Sequence, residues 1–395
     1  MTSNHKEIRW GVIGAGDVCK VKSAPAMNKI PQSRMVAVMR RDEKKARLYA
    51  SDHNVPRWYD DADKLLADPE VNAVYIATPP HVHAELTRKA AEAGKPVYVE
   101  KPMARSYREC LEMIETCGQA GVPLFVAYYR RMLPNYRKII ELVDDGVIGE
   151  VRSVDIRMSK PVDPEADRDP ANWRVDPDVA GGGYFYDLAS HQLDFLDYLL
   201  GPIADASGFA SNQAGYYRAE DIVSGSFRFE NGVLGTGNWC FTTAASAKTD
   251  LTTITGSRGV ISYPTFAGYY VDLTTDTQPD NGLAENDPVD NDPAETESRH
   301  LRSSNEIQTE KKGENSSNTV RFHFDMPEHI QQPLIETIVK ELLEYYDGRQ
   351  EVRMHNENDP SKRRRSGNDT VTRCPSTGMT AARTNRVMEA LVKHS

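Results

Sequence analysis

Asp187 and His191 stand four residues apart in the segment GGGYFYDLASH, which runs from Gly181 to His191. That spacing puts both side chains on one face of a helix near its N-terminus. An imidazole that titrates near neutrality suits general acid and base work, and a carboxylate beside it can orient it. A metal would need a third ligand. Asp194 lies on a neighbouring face and no metal motif is present, so no metal site is expected. Far upstream, Glu100-Lys101-Pro102 follows a short apolar run. A lysine at the end of such a strand can hold a hydroxyl or polarise a carbonyl; the alternative is an ordinary surface ion pair.

A second constellation is built for phosphates. Gly14-Ala15-Gly16 ends an apolar run and leads through Asp17 and Val18 into a helical stretch. In a strand–turn–helix the first glycine permits the tight turn. The second lets a pyrophosphate approach the backbone, and the helix N-terminus offers amide donors. The third fingerprint position is Cys19 rather than glycine. The second strand ends in Arg40-Arg41-Asp42. A carboxylate at the strand end would select the ribose hydroxyl of NAD(H), whereas guanidinium groups there suit the 2′-phosphate of NADP(H). NADP(H) is therefore favoured and NAD(H) is the alternative, with Asp42 read as the N-cap of the next helix.

These residues need a scaffold. Apolar runs at Ile8–Gly16, Met35–Met39, Ala73–Thr78, Val97–Val99 and Leu124–Ala127 alternate with helical patterns at His81–Ala93 and Ser106–Ala120. Such alternation predicts a parallel sheet of βαβ units, covered on both faces. After Tyr128 strand-like segments dominate: Val151–Met158, Ile222–Phe229, Val233–Phe241, Leu251–Thr255 and Val260–Tyr263. One helix, Leu188–Leu200, interrupts them. This predicts an α/β fold: a doubly wound Rossmann domain over 1–128, then an α+β domain over 129–347 with a mostly antiparallel sheet. Asp276–Asn318 holds eleven acidic residues against four basic ones and no aromatic, so it reads as a disordered insertion. A polar loop spans 348–369. Helices are expected over Pro327–Tyr346 and, within 370–395, over Ala381–Val392, the latter packing back on the body.

Composition narrows the function. The 395 residues carry 48 Lys and Arg against 58 Asp and Glu, a net charge of −10 that argues against nucleic acid. No run of about 18 apolar residues is present to span a membrane. The N-terminal segment lacks a secretory pattern, and five scattered cysteines form neither a disulfide framework nor a zinc motif. A reducing cytoplasm is the expected compartment.

GVIGAGDV, ATPPHVH, VEKPMA and GGGYFYDLASH together resemble the glucose–fructose oxidoreductase, inositol dehydrogenase and rhizopine-catabolism family, Gfo/Idh/MocA, over about residues 8–275 and 320–392. The resemblance implies hydride transfer between a nicotinamide and a sugar, polyol or related hydroxyl. Lys101 would orient the reacting hydroxyl, His191 would be the acid/base and Asp187 would position one of them. Thr78, Pro79 and His83 match the family's TPxxxH segment lining the cofactor, beside Glu100 and Lys101. Arg131, in Tyr128–Arg131, would shape the site. Asn172-Trp173-Arg174 resembles the segment beside the substrate. With Tyr184 and Tyr186, Trp173 and Arg174 suggest a polar, ring-shaped ligand. The family's second sheet is often buried between subunits, which implies a homodimer or homotetramer. A nicotinamide-dependent glycosidase on the same fold and a non-catalytic cofactor sensor are the competing functions.

Overall fold

Short β-branched runs separated by amphipathic helices produce the first sheet. The computed structural model describes residues 7–16, 19, 23–276, 307–311, 317–348 and 373–393, with the backbone alone for 307–311 and Ser317. Its first unit comprises β1 (Ile8–Ile13), α1 (Ala24–Met27), β2 (Ser33–Met39), α2 (Glu43–Asp52), β3 (Arg57–Tyr59), α3 (Ala62–Leu66), β4 (Ala73–Ile76), α4 (His83–Glu92), β5 (Val97–Val99), α5 (Tyr107–Gln119) and β6 (Leu124–Val126). The six strands are parallel, in the order β3-β2-β1-β4-β5-β6. Strands β4, β5 and β6 are buried along their whole length, as a sheet covered on both faces requires. The order reverses between β1 and β4, and ligands of such sheets bind at that switch point, outside the carboxyl ends of the strands.

The second unit runs through α6 (Pro134–Asp144), β7 (Val151–Pro161), α7 (Pro164–Arg168), α8 (Pro177–Ala180), α9 (Ser190–Leu200), β8 (Ile203–Ser211), β9 (Ile222–Phe229), β10 (Leu234–Thr243), β11 (Thr249–Gly256), β12 (Gly259–Tyr263), β13 (Tyr270–Asp276), β14 (Ile307–Lys311), β15 (Ser317–His323), α10 (Gln332–Tyr346) and α11 (Gly378–Val392). Nine strands form one sheet, ordered β14-β15-β13-β12-β11-β7-β10-β9-β8, in which only β7 and β10 pair in parallel. Alternation sends Ile156, Val223, Phe227, Trp239, Ile254, Ile261 and Val271 inward to one core shared with α9 and α10. The outward row Phe209, Ser224, Asn238, Arg157 and Leu251 is in register across five strands and exposed throughout.

The expectation of a disordered stretch over Asp276–Asn318 needs correction. Ile307–Lys311 pairs antiparallel with β15 as the edge strand, and β15 itself begins at Ser317. Backbone pairing compensates there for a sequence too polar to form a core. The other residues of that stretch, and 349–369, lie outside the described residues. No helix among the described residues is long and apolar enough to cross a membrane.

Two devices fix the units to one another. Helix α9 is buried almost all round and is tied by polar contacts: Trp239 Nε1 donates to Gln192 Oε1 at 2.7 Å, and Asp197 accepts from Arg383 at 2.5 Å. Helix α11 starts on a Thr377–Thr380 capping box and packs on α5, α9 and β8. Just before it, the Ser376 carbonyl accepts from Val126 N–H at 3.0 Å, at the edge of the parallel sheet.

Candidate active site

Nearly every strand of the parallel sheet delivers one candidate to its carboxyl edge. After β1, Gly14 adopts φ +87°, and a Cβ there would meet Thr78 Cγ2 at 2.7 Å and the Ala77 carbonyl at 3.0 Å. Its N–H donates to the Met39 carbonyl at 3.0 Å. The turn is therefore forced by the chain itself. At Gly16 a Cβ would meet nothing among the described residues nearer than 3.8 Å, which leaves room there for a phosphate. A closed turn followed by an open approach fits a pyrophosphate. Asp17 and Val18 lie outside the described residues. Cys19 is fully buried at the third position, and burial pushes its thiol up to about 12.

After β2, Arg40 is half-buried and Arg41 exposed, and neither forms an ion pair among the described residues. Asp42 is committed to α2, whose Lys45 N–H donates to its Oδ1 at 3.0 Å. After β4, Thr78 and Pro79 flank the glycine turn. His83 is fully buried, with Nε2 2.8 Å from the Thr78 carbonyl and Nδ1 3.1 Å from the Met103 carbonyl. Both ring nitrogens are therefore engaged by backbone carbonyls of the protein itself. The ring ties the loops after β4 and β5 together, and burial holds its pKa down.

After β5, Glu100 is buried rather than paired at the surface. Its Oε1 accepts from Tyr75 Oη at 2.6 Å and from Gln331 Nε2 at 2.7 Å, and its Oε2 accepts from Lys101 N–H at 3.1 Å. The carboxylate thus anchors the backbone beneath Lys101. The Lys101 ammonium crosses to the second unit, donating to Asp187 Oδ1 at 2.5 Å and to the Asp187 carbonyl at 2.8 Å. Arg174 Nε lies 3.4 Å from the other carboxylate oxygen and stacks 4.6 Å over Trp173. The structure therefore brings Lys101, Asp187, Arg174 and Trp173 together.

Asp187 sits in a π-helical turn, Phe185–Ala189, that feeds directly into α9. His191 follows one turn later and is 3 % exposed. Tyr128, Tyr129 and Phe266 meet its ring edge-on, with centroids 6.3, 5.4 and 5.7 Å away. The glycines before the turn are packing requirements. A Cβ on Gly181 (φ +88°) would lie 2.6 Å from the Arg105 backbone, and one on Gly182 2.2 Å from the Tyr186 ring. Glu220, its carboxyl raised by burial, accepts from Gly183 N–H at 2.9 Å.

Three residues expected beside the substrate are engaged within the protein. Arg131 is fully buried, and its guanidinium grips Asp194 through Nε (2.9 Å) and Nη2 (2.5 Å) and donates to Thr380 Oγ1 at 3.1 Å. Tyr184 is buried, with its hydroxyl donating to Asp167 at 2.6 Å and accepting from Asn172 at 3.1 Å. Burial and that carboxylate push it up to about 12. Tyr186 is buried against the glycine run. Sequence reasoning passed over Tyr129, Arg130 and Phe266, which line the site. The YYRR run signalled the first two, and nothing local signalled Phe266. All five cysteines are free, and no cluster of potential metal ligands occurs among the described residues.

Comparison with known proteins identifies the family. Residues 8–128 match the oxidoreductase family described as an NAD-binding Rossmann fold, and residues 136–262 match the GFO/IDH/MocA C-terminal domain. The chain is 36 % identical to Oxidoreductase P35 of Formosa agariphila over 84 % of its own length and 90 % of that protein. It is 29 % identical to 1,5-anhydro-D-fructose reductase of Ensifer adhaerens, covering 60 % of this chain and 70 % of that one. Among solved structures, the WlbA dehydrogenase of Bordetella pertussis, in complex with NADH and UDP-GlcNAcA, is 26 % identical with a TM-score of 0.59, covering 66 % of this chain and 74 % of that one. The chain therefore belongs to the Gfo/Idh/MocA family of nicotinamide-dependent oxidoreductases.

Proposed function

We propose that the protein is an NADP(H)-dependent oxidoreductase moving hydride between the nicotinamide and a CH–OH carbon of a sugar or polyol. The observation that carries this is the Lys101 ammonium, which leaves the cofactor edge of one sheet and is held by Asp187 one turn before His191 in the other unit. The relatives' names support a carbohydrate ligand.

Gly14, Gly16 and Thr78 would hold the pyrophosphate side of the cofactor, and Arg40 with Arg41 the 2′-phosphate. The bound nicotinamide supplies or accepts the hydride. Lys101 donates to the substrate oxygen and stabilises alkoxide charge as it develops. His191 takes the hydroxyl proton in oxidation and returns it in reduction. Asp187 fixes the ammonium, and Arg174 beside it presents further donors to substrate hydroxyls. Tyr128, Tyr129 and Phe266 exclude water around the imidazole, which strengthens each of these polar contacts. The exposed row on the nine-stranded sheet supports a homodimer or homotetramer through that face.

A fluorescence titration of cofactor-stripped protein with NADPH and NADH tests the first half. Saturable binding that favours NADPH is expected, and binding of neither by folded protein overturns the reading. A panel of sugars and polyols followed at the nicotinamide absorbance tests the second half. Cleavage of glycosides without net absorbance change would replace dehydrogenation by elimination chemistry.

A further inference from the structure

We propose that Arg130 forms a subsite for a carboxylate on the substrate, so that the preferred substrate is a sugar acid rather than a neutral sugar. This deepens the oxidoreductase reading and rests on it. Arg130 and Arg131 are adjacent and are the two buried arginines among the described residues, 7 % and 0 % exposed. Arg131 has the Asp194 carboxylate. Arg130 has no ion pair among the described residues, and its buried Nε has no acceptor. Asp250, whose field reaches it, is already occupied: its oxygens accept from the backbone N–H groups of Thr265 (3.0 Å), Phe266 (2.5 Å) and Ala267 (2.8 Å).

A buried cation without an anion is costly to maintain. Aromatic rings relieve part of that cost here. The guanidinium lies 4.6 Å over Phe266, 5.5 Å over Tyr129 and 5.8 Å over Tyr136. The rings and the nearby Tyr136 hydroxyl satisfy part of the guanidinium, while the buried Nε donor has no acceptor and offers one prong of the fork that binds a carboxylate. Phe266 and Tyr129 are also the rings packed edge-on against His191. The cation and the imidazole therefore flank the same two rings, within reach of one sugar residue. A carboxylate on the sugar would supply the missing anion while a ring hydroxyl reacts beside Lys101 and His191.

The test compares glucuronate, galacturonate and mannuronate with glucose, galactose and mannose, using both nicotinamides, for the wild type, Arg130→Met and Arg130→Lys. We expect kcat/KM to favour a uronate by about 10²-fold or more, and Arg130→Met to lower that ratio by about 10²–10³-fold, with Arg130→Lys between. Equal use of acid and neutral sugars by the wild type, or an equal loss on both in Arg130→Met, overturns the subsite. Thermal shift of the NADPH-loaded protein reads binding without turnover. Stabilisation by a uronate that disappears in Arg130→Met, with no sugar turned over, would keep the subsite and refute the oxidoreductase reading. Turnover of neutral sugars with no uronate binding would do the reverse. Ligand-free Arg130→Met should melt at or above the wild-type temperature, because it removes an uncompensated charge. A fall of about 5 °C or more would assign Arg130 to packing and overturn the proposal.

Discussion

Replacing Arg131 by methionine separates a substrate-binding arginine from a structural one. The wild-type pair is sealed from solvent, with side-chain exposures of 0 % for Arg131 and 2 % for Asp194. Removing the cation leaves a buried carboxylate uncompensated, which costs about 3–5 kcal/mol. It also strips a donor from the Pro375 carbonyl and from Thr380 Oγ1, and a buried acceptor left unmade costs about 1–3 kcal/mol. The terms overlap, so about 5 kcal/mol is expected in all. At about 2 °C per kcal/mol for a chain of this size, Tm should fall by about 10 °C. Circular-dichroism melting measures the loss, and KM of the folded enzyme should stay near the wild-type value. The double variant Arg131→Met/Asp194→Leu removes both charges and should recover most of the stability. An unchanged Tm with a raised KM would refute the structural assignment and return Arg131 to the substrate.

Lys101→Ala and His191→Ala should each lower kcat by about 10²–10⁴ while leaving cofactor titration intact; near-normal turnover in both would remove the proposed chemistry. Arg40→Ala should weaken NADPH far more than NADH in the same titration, and an equal effect would remove the argument for NADP(H). Burial raises the thiols of Cys19, Cys117 and Cys374 to about 12 and that of Cys110 well above its usual value, so all four stay protonated at pH 8. Half-buried Cys240 should then be the one thiol that iodoacetamide labels in the native protein, with five labelled after unfolding; rapid native labelling of the others would contradict the packing. Phe209→Asp places a charge on the exposed sheet row and should shift size-exclusion mass toward the monomer if that face joins subunits.

The parallel unit was legible because its strands are continuous apolar runs bounded by glycine and by helical patterns. Ala73–Ile76 and Val97–Val99 carry that signal unmixed, and Ile8–Ile13 is interrupted only by Arg9 and Gly11. The strands that escaped notice carry it weakly. β3 is three residues long, and β8 reads IADASGFAS, with small residues on both faces. Gly208 of β8 and Gly225 of its neighbour β9 make room for Leu391 of α11, a contact made from the far end of the sequence. β14 is a polar strand paired through its backbone to β15, so the composition of Asp276–Asn318 pointed to disorder. Helix α6 begins Leu133-Pro134 and was hidden by the proline, although proline is favoured in a first helical turn.

The candidate site shows where spacing stops being informative. Asp187 with His191, and the strand-end position of Lys101, follow from local periodicity and from the topology of a parallel sheet. Which of two neighbouring arginines faces the substrate does not. Tyr129–Met132 is a 3₁₀ turn, in which successive side chains diverge by about 120°. One residue along the chain therefore exchanges the aromatic pocket of Tyr129 and Phe266 for the buried carboxylate of Asp194. The partners that decide this come from the β12–β13 loop and from α9, more than 60 residues away in sequence. The same holds for Tyr184, whose aromatic neighbours suggested a sugar platform. Its hydroxyl is taken by Asp167, a buried residue of α7 that also lies 3.7 Å from Lys160 Nζ. Reaction type is written in residues that a strand end or a helix turn places alone. Substrate preference is written in residues placed by contacts between distant segments, and Arg130 is the case in which the two can be measured apart.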